Sequence, residues 1–160
     1  MSAIATFTMM PAAALPDLRD AAAPKKSLFG KPKDTFAAYL AEHGSEVADY
    51  PWSGYVLGTL LVYLEEQGMN LMVGEYDELG TRLCEARGAT YFIFTPEHKR
   101  ALLAQLDPNR FSEEALRDYY NEFNEVEEPD SGRPMLDGIR SFAQSLEALD
   151  DSSVIVFGVG

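Results

Sequence analysis

The run ATYFIF, residues 89–94, is aromatic or β-branched at five of its six positions. A short run of that kind between turn signals reads as a strand. Gly88 precedes it and can stop an incoming helix, and Thr95-Pro96-Glu97 follows it as a helix start, with Thr as cap and Pro in the first turn. The strand is therefore flanked by helices on both sides. Working outward, two more runs share its character. AIATFTMM (3–10) is ended by Pro11, and SVIVFGVG (153–160) carries a continuous apolar stretch. MNLMV (69–73) fits either a fourth short strand or a packed loop.

The intervening segments have helical spacing. One helix begins near Pro16. TFAAYLAEH is bounded by Asp34 as N-cap and Gly44 as C-cap, with Phe36, Tyr39 and Leu40 on one face. GYVLGTLLVYLEEQ (54–67), capped by Ser53 and stopped by Gly68, places Val56, Leu57, Leu60, Leu61 and Leu64 on a core face. EYDELGTRLCEAR (75–87) does so through Tyr76, Leu79 and Leu83. PEHKRALLAQL (96–106), EEALRDYYNEFNEV behind the cap Ser112, and PMLDGIRSFAQSLEAL (134–149) complete the set. Short strands cannot bury their own faces and need helices packed on them. The expected fold is α+β: a small sheet of three or four short strands packed by about six helices. A chain of 160 residues is one domain, 1–160, and buries roughly 70% of its unfolded surface. AAPKKSLFGKPK (22–33), with two Pro, one Gly and four Lys, is expected as an exposed basic loop.

Charge is uneven. Residues 1–33 carry five Lys or Arg against two Asp, and residues 34–160 carry eight against twenty-four carboxylates, a balance of −16. Such a field repels nucleic acid and anionic lipid and attracts basic partners. No run of 18 apolar residues is present, so no membrane span is expected. Residues 3–15 are apolar but lack a basic leader and contain Pro11, which argues against a signal peptide. The single cysteine, Cys84, cannot form an internal disulfide, and the expected compartment is the cytoplasm.

Several chemistries find no footing. No Gly-rich phosphate loop opens a helix, and a single cysteine cannot build a zinc site with the two histidines, which have no ligand spacing. His43 ends its helix, where a protonated imidazole meets the favourable end of the dipole. His98 reads as a surface histidine in a first helical turn, and Cys84 as a packed structural cysteine. No catalytic residue, metal or cofactor is expected.

The strongest local feature is DYYNEFNEVEEPD (118–130), with six carboxylates, three aromatic residues and no Lys or Arg. A calcium loop needs glycine at its sixth position, and Phe123 stands there. Helical spacing instead puts Leu116, Tyr119, Tyr120 and Phe123 on a core face and leaves Asp118, Asn121, Glu122 and Glu125 outward. Asp118, Glu122 and Glu125, with Glu127, Glu128 and Asp130 beyond them, form a candidate face for a basic protein. Tyr50 and Trp52, in the aromatic loop DYPWSGY (49–55), are candidate anchors in a second patch. The function expected from these features is an acidic binding protein, in concrete form an immunity or antitoxin protein that occludes a basic bacterial toxin. The alternative is an enzyme or small-ligand protein whose pocket gathers distant residues such as Tyr50, Trp52, Tyr91 and Glu75. A deep polar-lined pocket favours the alternative; an acidic surface favours the first.

Three stretches carry a family likeness: MSAIATFTMMPAAALPDL at the start, FTPEHKRALLAQLDPNRFSEEALRDYY, and AQSLEALDDSSVIVFGVG at the end. They resemble the opening strand and helix, the strand-exit, helix, turn and helix, and the closing helix and strand of the YfbM-like proteins, small bacterial proteins of unknown function. Together they cover about half the chain. The resemblance implies an α+β domain and carries over no catalytic residue.

Overall fold

A computed structural model describes residues 2–23, 28–30 and 34–160. The basic loop expected at 22–33 lies mostly on 24–27 and 31–33, outside the described residues. The order is β1 (Ala5–Pro11), α1 (Leu15–Ala22), α2 (Phe36–His43), β2 (Ser45–Glu46), α3 (Gly54–Glu66), α4 (Asp77–Arg87), β3 (Thr90–Phe94), α5 (Pro96–Leu102), α6 (Glu113–Asn124), α7 (Gly132–Ala148) and β4 (Ser153–Val159). The fold is α+β, with four antiparallel strands in the order β2-β1-β4-β3 and, among the described residues, seven α-helices where about six were expected. The fourth strand is not the 69–73 segment. That segment is a packed loop burying Met69 and Leu71, whereas β2 has two exposed polar residues that pair with β1 and no apolar alternation to betray it.

The sheet is clothed on both faces. Phe157 on β4 lies opposite Phe7 on β1 and Phe92 on β3. Ile155 and Phe157 face a core shared with α3 and α7, while Val154 and Val156 face a second core with Leu15, Leu18, Phe36 and Leu83 of α1, α2 and α4. A strand buried on both sides reads as an unbroken apolar run, which is why SVIVFGVG does not alternate. On the first face Phe142 of α7 inserts its ring among Phe7, Phe94 and Phe157, at centroid distances of 5.8, 5.8 and 5.4 Å. Met135, Ile139 and Leu146, on the same helix, are fully buried beside it. Each such side chain contributes roughly 1.5–3 kcal/mol, so α7 is the main brace of this face. Lys99 on α5 closes its far end: Nζ donates to the carbonyl oxygens of Glu147 at 3.1 Å and Leu149 at 2.6 Å, where the helix dipole favours a cation.

The edge strand β3 is covered by α4. Cys84 Sγ accepts a hydrogen bond from Tyr91 N–H at 3.2 Å, so the cysteine is structural and blunts a sheet edge. His98 departs from expectation, being only 7% exposed. Its Nδ1 accepts from Thr95 N–H at 3.0 Å, which leaves the ring proton on Nε2, donated to the Val73 carbonyl at 2.7 Å. With Thr95 Oγ1 accepting from His98 N–H, this is a capping box in which histidine fills the place usual for Glu or Gln. The imidazole also ties the 69–74 loop to α5, a long-range contact that local spacing cannot disclose. Gly44 ends α2 in an extended conformation (φ −126°) rather than a left-handed one, and glycine is needed there for room, since a Cβ would stand 2.5 Å from Thr8 Cγ2.

The crossing of α3 and α7 depends on Gly138, where a Cβ would lie 2.6 Å from Leu57 Cδ2 and from Leu60 Cδ2. Gly138→Ala gains helix propensity but overpacks this crossing, and its net effect is a loss of about 1–3 kcal/mol in urea unfolding.

Candidate interaction surface

The acidic stretch splits between α6 and the loop that joins it to α7. Ser112 starts α6, its Oγ accepting from Ala115 N–H at 3.2 Å. Leu116 is fully buried, and Tyr119 and Tyr120 are half-buried against the core. Phe123 is not a core residue as its spacing implied. It is 49% exposed: α6 packs on α3 and α7, and in its last turn Asn124, not Phe123, faces α3, through Thr59. An aromatic row leads out to it: Tyr63 on α3 meets Tyr119 edge-on at 4.8 Å, and Tyr119 stacks on Phe123 at 5.8 Å. The Tyr119 hydroxyl is buried without a hydrogen bond of ordinary geometry. Burial first, and the nearby Glu66 carboxylate second, push its pKa up to about 12.

The end of α6 is unusual. Glu125 sits in the left-handed region at φ 54°, and the next amide, Val126 N–H, reaches back to the Asn121 carbonyl at 3.0 Å. That six-to-one bond closes a Schellman turn, whose left-handed position normally belongs to glycine. A side chain there costs on the order of 1 kcal/mol. The turn sets Glu125 and the 38%-exposed Val126 at the helix tip beside Phe123.

Asn121 then clamps the loop that follows. Its Nδ2 donates to the Glu128 carbonyl at 3.3 Å, and its Oδ1 accepts from Glu128 N–H at 3.1 Å and from Ser131 Oγ at 3.3 Å. Asn124 Nδ2 donates to Thr59 Oγ1 on α3 at 3.2 Å and pins the last turn from the other side. Both asparagines appear in the sequence as ordinary polar positions. Only the N-E-F-N spacing, which puts two amides one turn apart at a helix end, hinted at capping duty.

Five of the six carboxylates (Glu122, Glu125, Glu127, Glu128 and Asp130) are exposed and have no ion-pair partner within 4 Å among the described residues. Asp118 differs: Arg117 Nη2 stands 2.7 Å from its Oδ1, so its charge is largely answered within the helix. The two aromatic anchors also part company. Tyr50 is 6% exposed, and its hydroxyl donates to the Pro134 carbonyl at 2.9 Å, so it belongs to the core and cannot meet a partner. Burial raises the pKa of that hydroxyl. Trp52 is 44% exposed, its indole N–H donating to Asp137 Oδ2 at 3.1 Å. Arg133 and Arg140 approach the same carboxylate at 3.2 and 2.6 Å. Burial opposes the charge of Asp137, but the hydrogen bonds from Trp52, Arg140 and Arg133 outweigh it and hold the carboxyl below the usual aspartate value.

The alternative pocket does not assemble. Tyr50 lies in the core beneath α7, Trp52 on the surface by Asp137, Tyr91 on the opposite sheet face against Phe36, and Glu75 on the exposed loop before α4. Among the described residues no three His, Cys, Asp or Glu side chains gather as metal ligands, and no helix is long and apolar enough to cross a membrane. Comparison with protein-family models, curated proteins and solved structures finds no match, so nothing of that kind bears on the YfbM-like resemblance or assigns an activity.

Because one side chain holds the loop, Asn121→Ala should be felt locally and globally. The expected result is a loss of about 1–2 kcal/mol in urea unfolding, with faster amide hydrogen exchange at Glu128 while the amides of β4 keep their protection.

Proposed function

We propose that this protein is a binding protein that docks a basic protein on the face formed by the end of α6 and the 125–131 loop. The observation that carries the reading is Phe123. An aromatic side chain half in water, in a stretch whose exposed neighbours in the chain are Glu122, Glu125, Val126 and Glu128, has the make-up of an interface anchor with a charged rim. The carboxylates without ion-pair partners supply the field that draws a cationic partner in, and the aromatic row supplies the contact that retains it. The clamped loop lowers the ordering cost of association. Glu125, held where glycine is more stable, fits a position whose side chain is kept for a use outside the fold.

In its most specific form the proposal is an immunity or antitoxin protein of the cytoplasm whose partner is a basic toxin, neutralised by occlusion. Trp52, with Arg133 and Arg140 around Asp137, lies outside the acidic stretch and would serve as a second contact.

The test uses the wild-type chain and the triple variant Glu122→Lys, Glu125→Lys, Glu128→Lys as baits on an extract of the native host, at low and high salt. The expected result is one stoichiometric basic protein on the wild type, released by salt, with an association rate about tenfold or more slower for the variant at low salt. An unchanged rate, or retention of no basic protein by the wild type, contradicts the proposal.

A further inference from the structure

A cavity of about 470 Å³ opens on the side of the sheet that faces α3, between the start of that helix and the ends of β3 and β4. Its lining includes Phe92, Phe157 and Val159 from the sheet and Gly54, Gly58 and Leu61 from α3. That volume is within the range that holds a drug-sized molecule. None of its twelve lining residues has a charged side chain, in a chain that is 24% charged.

The two helix glycines have different explanations. A Cβ at Gly54 would lie 2.8 Å from Val159 Cγ1, so packing requires glycine there. A Cβ at Gly58, one turn on, would meet nothing within 4 Å. Glycine in the interior of a helix lowers its stability, and no neighbour demands it at this position. Gly58 is exposed and is one of the cavity's lining residues, so the missing side chain leaves that part of the lining bare. We propose that this cavity binds a small, largely apolar molecule without an anionic group, and that Gly58 keeps it open. The lining sets the ligand class: it holds no Lys, Arg or His, so an anion entering it would lose its hydration with no cation to replace it. The Thr90 and Tyr55 side chains, both lining residues and both exposed, offer hydroxyls for one polar group of the ligand. The cavity shares no lining residue with the acidic face of α6 and does not depend on the proposal made for that face.

Two fluorescent probes with one aromatic skeleton test this on the full chain. N-phenyl-1-naphthylamine is neutral, and 1-anilinonaphthalene-8-sulfonate adds a sulfonate. The expected result is saturable one-to-one binding of the neutral probe, with affinity at least about tenfold weaker for the sulfonate. Gly58→Phe, which fills the cavity from α3, and Thr90→Trp, which fills it from β3, should each weaken the neutral probe about tenfold or more while melting within a few degrees of the wild type. Either variant suffices if the other fails to fold. Equal affinity for the two probes, neutral-probe binding unchanged in a folded filled variant, or no saturable binding by the wild type overturns the proposal. So does loss of binding as the wild type is concentrated into a dimer, which would make a second copy the occupant.

Discussion

The ring of Phe142 stands within 6 Å of the rings of Phe7, Phe94 and Phe157, and so of three of the four strands' worth of sheet. Edge-on aromatic contacts of this kind add to the burial of each ring. They also fix the axial position of α7, since the ring fits one gap. From that position follow the crossing with α3 at Gly138, the Lys99 cap at the far end of α7, and the Tyr50 hydroxyl bond at Pro134. The α3–α7 pair is in turn the platform on which α6 lies.

Because α6 packs on that platform and not on the sheet, its aromatic side chains are used unequally. Leu116 reaches the core, Tyr119 is half-buried, and Phe123 is half-exposed. A half-exposed phenylalanine contributes less to the fold than a buried one, and the left-handed Glu125 detracts from it. The clamps by Asn121 and Asn124 nevertheless hold this region in one arrangement. Rigidity, exposed aromatic surface and carboxylates without ion-pair partners occur together at one place, the face for which a binding role is proposed.

Much of the fold could be read in the sequence because local rules agreed with one another. ATYFIF, SVIVFGVG and AIATFTMM carried their own strand chemistry, and Gly88 stopped α4 in the left-handed conformation that only glycine takes easily. What could not be read depended on contacts between distant segments. β2 is two residues recruited by β1. His98 is buried because Val73, 25 residues away, accepts its proton. Tyr50 is buried because Pro134 accepts its hydroxyl, though its neighbours Pro51 and Trp52 are exposed. The acidic positions were legible as a group. Their subdivision was not, since Phe123 has the helical spacing of a core residue and only the depth of α6 in the fold decides its exposure.

The central claim is that Phe123 belongs to a surface and not to the structure. Urea unfolding of Phe123→Ala tests it most directly, with Phe142→Ala alongside as the measure of a true core truncation at about 3–5 kcal/mol. Phe123→Ala, which loses a half-exposed ring and its stacking on Tyr119, is expected to unfold within about 1 kcal/mol of the wild type. A loss of about 2 kcal/mol or more would place Phe123 among the residues that hold the fold, and would contradict the reading of this face as one kept for a partner.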